Sequence, residues 1–128
     1  MKQAGTGSSY EVTVLVITYH PAWEKLRQTL ISAMLQKDVR CQIVIADDGS
    51  DENHRDRILS LFREYAFTEY TLVLNDHNQG TVANYLSGLR AAEGEYTKGI
   101  SPGDFFSGPF VLREWLNDLK SQKTEWSF

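Results

Sequence analysis

Ile43-Val44-Ile45-Ala46-Asp47-Asp48-Gly49-Ser50 decides how this chain is read. A continuous apolar run of the kind that forms a buried strand stops at two adjacent carboxylates, then at a glycine and a serine able to turn the chain into a helix. The acids are therefore predicted at the C-terminal end of a strand. In an open parallel sheet ligands bind beyond that edge, because helices cover both faces. Asp48-Gly49-Ser50 alone also suits a plain turn with a helix cap. A plain turn does not call for a second acid directly after the strand, so Asp47 and Asp48 are read as binding residues.

On either side of this stretch the chain alternates strand and helix. Glu11 to Thr18 is a β-branched run too continuous to be exposed on one face, which predicts a central strand. Pro21 opens a helix with Trp23, Leu26, Leu30, Ala33 and Met34 at helical spacing through about Gln36. Cys41 to Ala46 is the second strand. Asp51 is expected to cap a helix reaching Tyr65, with Ile58, Leu61, Phe62 and Tyr65 on one face. Tyr70 to Leu74 is a third strand, followed by the polar loop Asn75 to Gly80. A helix from Thr81 to about Ala92 is expected to turn Val82, Tyr85, Leu86 and Leu89 inward and to end at Gly94. Tyr96 to Ile100 is a fourth strand, Ser101-Pro102-Gly103-Asp104 a turn, and Pro109 to Lys120 a last helix with Leu112, Trp115, Leu116 and Leu119 on its apolar stripe. Thr124 to Phe128 reads as the start of a further strand, residues 1–10 as a flexible tail and residues 11–128 as the domain.

The length of 128 residues, with 41% hydrophobic and 23% charged, suits one globular domain with a real core. A net charge of −4 argues against nucleic acid or an anionic membrane surface as the main partner. The single cysteine, Cys41, lies in a strand; no intrachain disulfide can form, which suits a reducing compartment. No apolar run approaches the roughly 20 residues that cross a bilayer, and no secretion signal is seen in the first ten residues, so a cytoplasmic chain is expected.

Repeated βα units predict an α/β fold with a mainly parallel sheet and helices on both faces. If the first three strands run outward in the order 3-2-1 and the fourth returns beside the first, the switch point lies between strands one and four. Its crevice is then lined by Thr18-Tyr19-His20, Asp47-Asp48 and Ser101 to Asp104. Neither a dinucleotide fingerprint nor a phosphate loop is present. What remains is a carboxylate pair able to accept from a base N–H or ribose hydroxyls, and an acid in a turn that can help hold a divalent metal over a diphosphate. Asn75, Asn78, Gln79 and Gly80 precede a helix start, a place for polar contacts to an oxygen-rich ligand, although composition alone favours a simple loop and helix start for Asn78-Gln79-Gly80. His20, His54 and His77 show no metal spacing; His54 is read as solvated, and Trp23 and Trp115 as core. No nucleophile and base stand in a recognisable arrangement.

Val14-Leu15-Val16-Ile17-Thr18-Tyr19-His20, the helix ending near Gln36, Ile45-Ala46-Asp47-Asp48-Gly49-Ser50, Asn75 to Gly80, Gly88-Leu89-Arg90-Ala91-Ala92 and Gly94-Glu95-Tyr96 together resemble the N-terminal half of a family 2 glycosyltransferase with the Rossmann-like GT-A fold. Each motif alone is weak; their order and spacing are specific, and they cover nearly the whole chain from Glu11. The resemblance implies a nucleotide-sugar donor, usually a UDP-sugar, and a saccharide or lipid-linked acceptor in surface polysaccharide synthesis, at the inner face of a membrane. It implies nucleotide binding by Thr18, Tyr19, Asp47, Asp48, Asn78 and Ser101, and Mg²⁺ or Mn²⁺ held on the diphosphate by acids after the fourth strand. Where the family commonly reads Asp-Ala-Asp-Asp, this chain reads Ser101-Pro102-Gly103-Asp104, leaving Asp104 as the one acid for the metal. His20 replaces a frequent Asn. Family members continue into an acceptor-binding half, so the fold is expected to be incomplete here and the catalytic base to lie beyond Phe128. The alternative is a noncatalytic nucleotide-binding or interaction module of the same fold.

Overall fold

Strand β1 (Tyr10–Thr18) is hydrogen-bonded on both sides, and six consecutive residues from Glu11 to Val16 are buried, as an unbroken apolar run requires of a strand between helical layers. The computed structural model describes residues 9–125. Its order is β1, α1 (Trp23–Met34), β2 (Cys41–Asp47), α2 (Arg55–Glu64), β3 (Tyr70–Leu74), α3 (Thr81–Ala91), β4 (Gly94–Ile100) and α4 (Val111–Glu125). The four strands form one all-parallel sheet in the order β3-β2-β1-β4, the arrangement expected from the sequence. The direction of winding reverses between β1 and β4, where Val16 pairs with Ile100 while Thr18 pairs with Asp47 on the other side.

The pleat divides the core into two unequal parts. Val12, Val14, Val16, Ile43 and Ile45 face α1, α2 and α4, packing with Leu26, Leu30, Ile58, Leu61, Phe62, Leu112 and Leu116. Leu15, Val44 and Ala46 face the other way, toward Tyr85, Leu89 and Ala91 of α3. This second face also carries a buried polar pair: the Thr13 hydroxyl donates to Gln42 Oε1 at 2.7 Å, and that oxygen also accepts the Glu93 amide at 2.8 Å. The pair fixes the chain where α3 passes into β4.

Several local expectations are corrected. Val82 and Leu86 are 74% and 44% exposed, and the stripe of α3 that meets the sheet holds Asn84 and Gly88 instead. A Cβ on Gly88 would lie 2.5 Å from Leu15 Cδ1, so the helix sits too close for large side chains there. Gly94 does not end α3; it begins β4, where a Cβ would meet the Thr13 nitrogen at 2.5 Å. Asp51 does not cap α2. The helix starts four residues later, with His54 in the left-handed region (φ 63°) and Asn53 Oδ1 accepting the Arg55 amide at 3.1 Å. His54 is not solvated either: its Nε2 donates to the Pro21 carbonyl at 2.9 Å, and its ring lies 5.6 Å from that of Trp23. At the ends, Tyr10 belongs to β1 rather than to a tail, and Thr124 and Glu125 continue α4 rather than starting a strand. Residues 1–8 and 126–128, the rest of those two expectations, lie outside the described residues. No helix is long and apolar enough to cross a membrane among the described residues.

Candidate functional site

The C-terminal ends of β1 and β2 are knitted together by Asp47. Its Oδ1 accepts the Thr18 hydroxyl at 2.7 Å and the Ser50 hydroxyl at 2.7 Å, and its Oδ2 accepts the Ser50 amide at 2.8 Å. Ser50 Oγ in turn accepts the His20 amide at 2.6 Å. Asp47 is fully buried, so these bonds replace the hydration its charge loses. The backbone joins in, with the Asp48 amide donating to the Thr18 carbonyl at 3.0 Å. The chain leaves β1 through His20 at φ 48°, which brings its ring to 4.1 Å from that of Tyr19, whose side chain is half exposed.

Asp48 faces a different partner. Its Oδ1 accepts the Gln79 amide at 2.7 Å and its Oδ2 the Gly80 amide at 3.2 Å, so one carboxylate holds the loop that precedes α3. Asn78 Oδ1 accepts the same Gly80 amide at 3.1 Å, and the Asn78 side chain is exposed. Gly49 passes beneath this loop at φ 76°; a Cβ there would lie 2.2 Å from the His77 carbonyl carbon. Behind it, Asn75 donates its side-chain amide to the Asp47 carbonyl at 3.0 Å and to Asn84 Oδ1 at 3.1 Å, while buried Asn84 donates to the Ala46 carbonyl at 2.9 Å. Asp48 is 5% exposed, and each of its oxygens keeps an acceptor position beyond the one backbone bond it makes.

The third segment follows β4. In the turn Ser101 to Asp104 the Asp104 amide donates to the Ser101 carbonyl at 2.9 Å and Asp104 Oδ2 accepts the Ser101 amide at 3.0 Å. Thr29, buried on α1, anchors it: its hydroxyl accepts the Gly103 amide at 3.0 Å and shares its proton between the Asp104 carbonyl at 2.6 Å and the Lys25 carbonyl at 3.0 Å. The structure thus brings Thr18 and Asp47 together directly, with Asp48 next in the chain reaching Gln79 and Gly80. Ser101 and Asp104 reach the same sheet edge through strand register and α1, with no side-chain bond to the first two groups among the described residues. Thr29, Asn75 and Asn84 as braces were not foreseen. The signal for Thr29 is its inward position, three residues after Leu26 on the apolar face of α1.

The donor set around Asp104 is poor for a divalent cation. Its carboxylate is exposed and already bonded, Gly103 offers no side-chain ligand, and a Cβ built on Gly103 would point at Lys25 Cδ, 3.7 Å away. Among the described residues no three His, Cys, Asp or Glu side chains gather around a point. One exposed carboxylate next to a glycine does not fit the metal that the resemblance implies. Elsewhere, burial pushes the Cys41 thiol up to about 12, so it stays protonated and unreactive. An apolar hollow of about 520 Å³ beside α1, lined by residues such as Ile31, Leu35, Phe105 and Pro109, has no titratable side chain and offers no acid, base or metal ligand.

Comparison with known sequences settles the ancestry, since the profile of Glycosyl transferase family 2 matches residues 13–97. The chain belongs to that family. It is 29% identical over 101 residues to the uncharacterized glycosyltransferase MG025 of Mycoplasma genitalium and 28% identical over 99 residues to its Mycoplasma pneumoniae homolog, covering 77% and 76% of this chain. It spans about a third of those relatives, 33% and 32% of their lengths. Among solved structures, the mannosyltransferase PcManGT of Pyrobaculum calidifontis, in complex with GDP-Man and Mn²⁺, superposes with a TM-score of 0.74 at 19% identity, over 93% of this chain and 35% of that one. TarS 1-349 of S. aureus in complex with UDP superposes at 0.72 and 19% identity, over 87% and 32%. TarS 1-349 with UDP-GlcNAc superposes at 0.66 and 21% identity, over 90% and 31%. The family 2 chain thus has the GT-A-like α/β fold of these neighbours.

Proposed function

We propose that residues 11–128 are the donor-binding portion of a glycosyltransferase that moves a sugar from a nucleoside-diphosphate sugar to an acceptor hydroxyl. One observation carries the reading: the Thr18–Asp47–Ser50 hydrogen bonds close the β1–β2 edge, while Tyr19, next in the chain after Thr18, is half exposed and Asp48 keeps acceptor positions beyond its two backbone bonds. An exposed aromatic beside a carboxylate suits a nucleobase, stacking on its face and accepting its N–H. Asp47 acts from within, holding the edge in shape. Asn78 and Ser101 complete the nucleotide contacts across the crevice. UDP and UDP-GlcNAc in TarS support a uridine donor, whereas the GDP-Man of PcManGT shows that the fold also admits another base.

Transfer also requires a general base for the acceptor hydroxyl, and none of the described residues is assigned to it. Mg²⁺ or Mn²⁺ has no step in this reading, because of the donor set around Asp104. A saccharide or lipid-linked acceptor, surface polysaccharide synthesis and a cytoplasmic location at a membrane's inner face rest on the family alone. A second reading, a noncatalytic nucleotide-binding or interaction module, is favoured by the glycine at 103.

Calorimetric titration with UDP, with and without Mn²⁺, tests the donor site. Binding in at least one condition, weakened by Asp48→Ala on the order of ten-fold as expected for a lost charge-assisted hydrogen bond, supports it. Absence of binding in both conditions, or unchanged affinity in the variant, refutes it. Sugar transfer by a protein extended past Phe128 separates the enzyme from the noncatalytic module.

A further inference from the structure

The turn after β4 lacks an acid at the place where an acid would point toward Lys25. Gly103 adopts φ 102°, a conformation natural to glycine. The direction in which its missing side chain would project ends at the Lys25 stem, Cδ at 3.7 Å. Lys25 lies in the first turn of α1, is exposed, and makes no ion pair among the described residues. Its distance from the turn is fixed by Thr29, which bonds Gly103 and Asp104 on one side and the Lys25 carbonyl on the other. Lys98, the nearest basic residue along β4, is engaged over the Trp115 ring at 5.5 Å.

A nucleoside diphosphate carries two to three negative charges that must be met by cations, whether bound ions or side chains, and more so as it departs with the bond electrons. The chain has a net charge of −4, so its overall field gives no help. A lysine ammonium is a compact point charge on a flexible stem, well suited to a phosphate oxygen. We propose that Lys25 supplies the positive charge facing the donor diphosphate, in place of a divalent cation held by a second acid. The inference rests on the donor-site reading above. It goes further by naming the counter-charge and by requiring that nucleotide binding be independent of metal.

The test is calorimetry on the chain with UDP and with uridine, in EDTA and then in Mn²⁺, for the parent protein, Lys25→Gln and Lys25→Arg. In EDTA the parent binds UDP more tightly than uridine, and Mn²⁺ changes the UDP affinity by less than about two-fold. Lys25→Gln loses about ten-fold in UDP affinity and none for uridine, and Lys25→Arg retains most of it, because the arginine keeps the charge. Unchanged UDP affinity in Lys25→Gln, UDP bound no better than uridine, or tightening by Mn²⁺ of about ten-fold or more overturns the inference while leaving the donor site standing. Failure of both uridine and UDP to bind in either condition removes the donor site, and the inference with it.

Discussion

Thr29 Oγ1 lies 2.6 Å from the carbonyl oxygen of Asp104, so a helix packed against β1 sets the position of the turn at the end of β4. The two residues are far apart in sequence and meet because α1 and β4 flank the same strand. The same hydroxyl accepts the Gly103 amide, so one side chain satisfies both polarities of the turn's backbone.

Thr29→Val keeps the shape of the side chain and removes its bonds to Gly103, Asp104 and the Lys25 carbonyl. The expected loss is about 1–2 kcal/mol of unfolding free energy, read from urea denaturation, because the freed groups are only partly buried. UDP affinity should fall as well, since Ser101 and Asp104 lose their fixed height. A variant as stable as the parent would show that the turn holds its position without α1.

Gly49→Ala probes the crossing of the 49–50 turn beneath the 75–80 loop. The new Cβ would meet the His77 backbone at 2.2 Å in a φ of 76°, so neither the loop nor the turn can relax cheaply. A destabilisation on the order of 3 kcal/mol is expected, measured as a lowered midpoint in urea. Faster hydrogen exchange at the Gln79 and Gly80 amides should accompany it, because their acceptor Asp48 is displaced.

Glu11 gives the pH dependence. Burial alone would raise its pKa, but the Arg113 guanidinium at 2.6 Å, the Arg40 amide at 3.1 Å and the charges of both arginines outweigh burial and hold it below its usual 4.5. The unfolded chain therefore takes up this proton first as pH falls. The contribution is complete above about 4.5 and is lost as pH drops through the lower folded value. Thermal unfolding at pH 7 and pH 4 should show a smaller acid loss for Glu11→Gln than for the parent; an equal loss would assign the acid sensitivity to other carboxylates.

The sheet was legible because β1 and β2 carry long apolar stretches rich in β-branched residues, as a doubly covered strand requires, and because the acids at 47 and 48 mark where β2 ends. The order 3-2-1-4 followed from placing the fourth strand beside the first. The orientation of α3 was not legible. Its apolar residues Val82 and Leu86 point outward, and close approach to Leu15 puts Asn84 and Gly88 inward, a demand set by the neighbouring strand rather than by helical periodicity. The separate duties of the two acids were equally hidden. Both follow one apolar run, and only the pairing of Thr18 with Asp47 directs one carboxylate into the interior and leaves the other to the loop.

The 75–80 segment is gripped through main-chain amides, while the side chains of Asp76, His77 and Gln79 stand in solvent. A lineage can therefore re-letter these three positions without disturbing the scaffold underneath. That freedom stops at Gly49, the one place along the crossing where a single added methyl group would lift the whole rim.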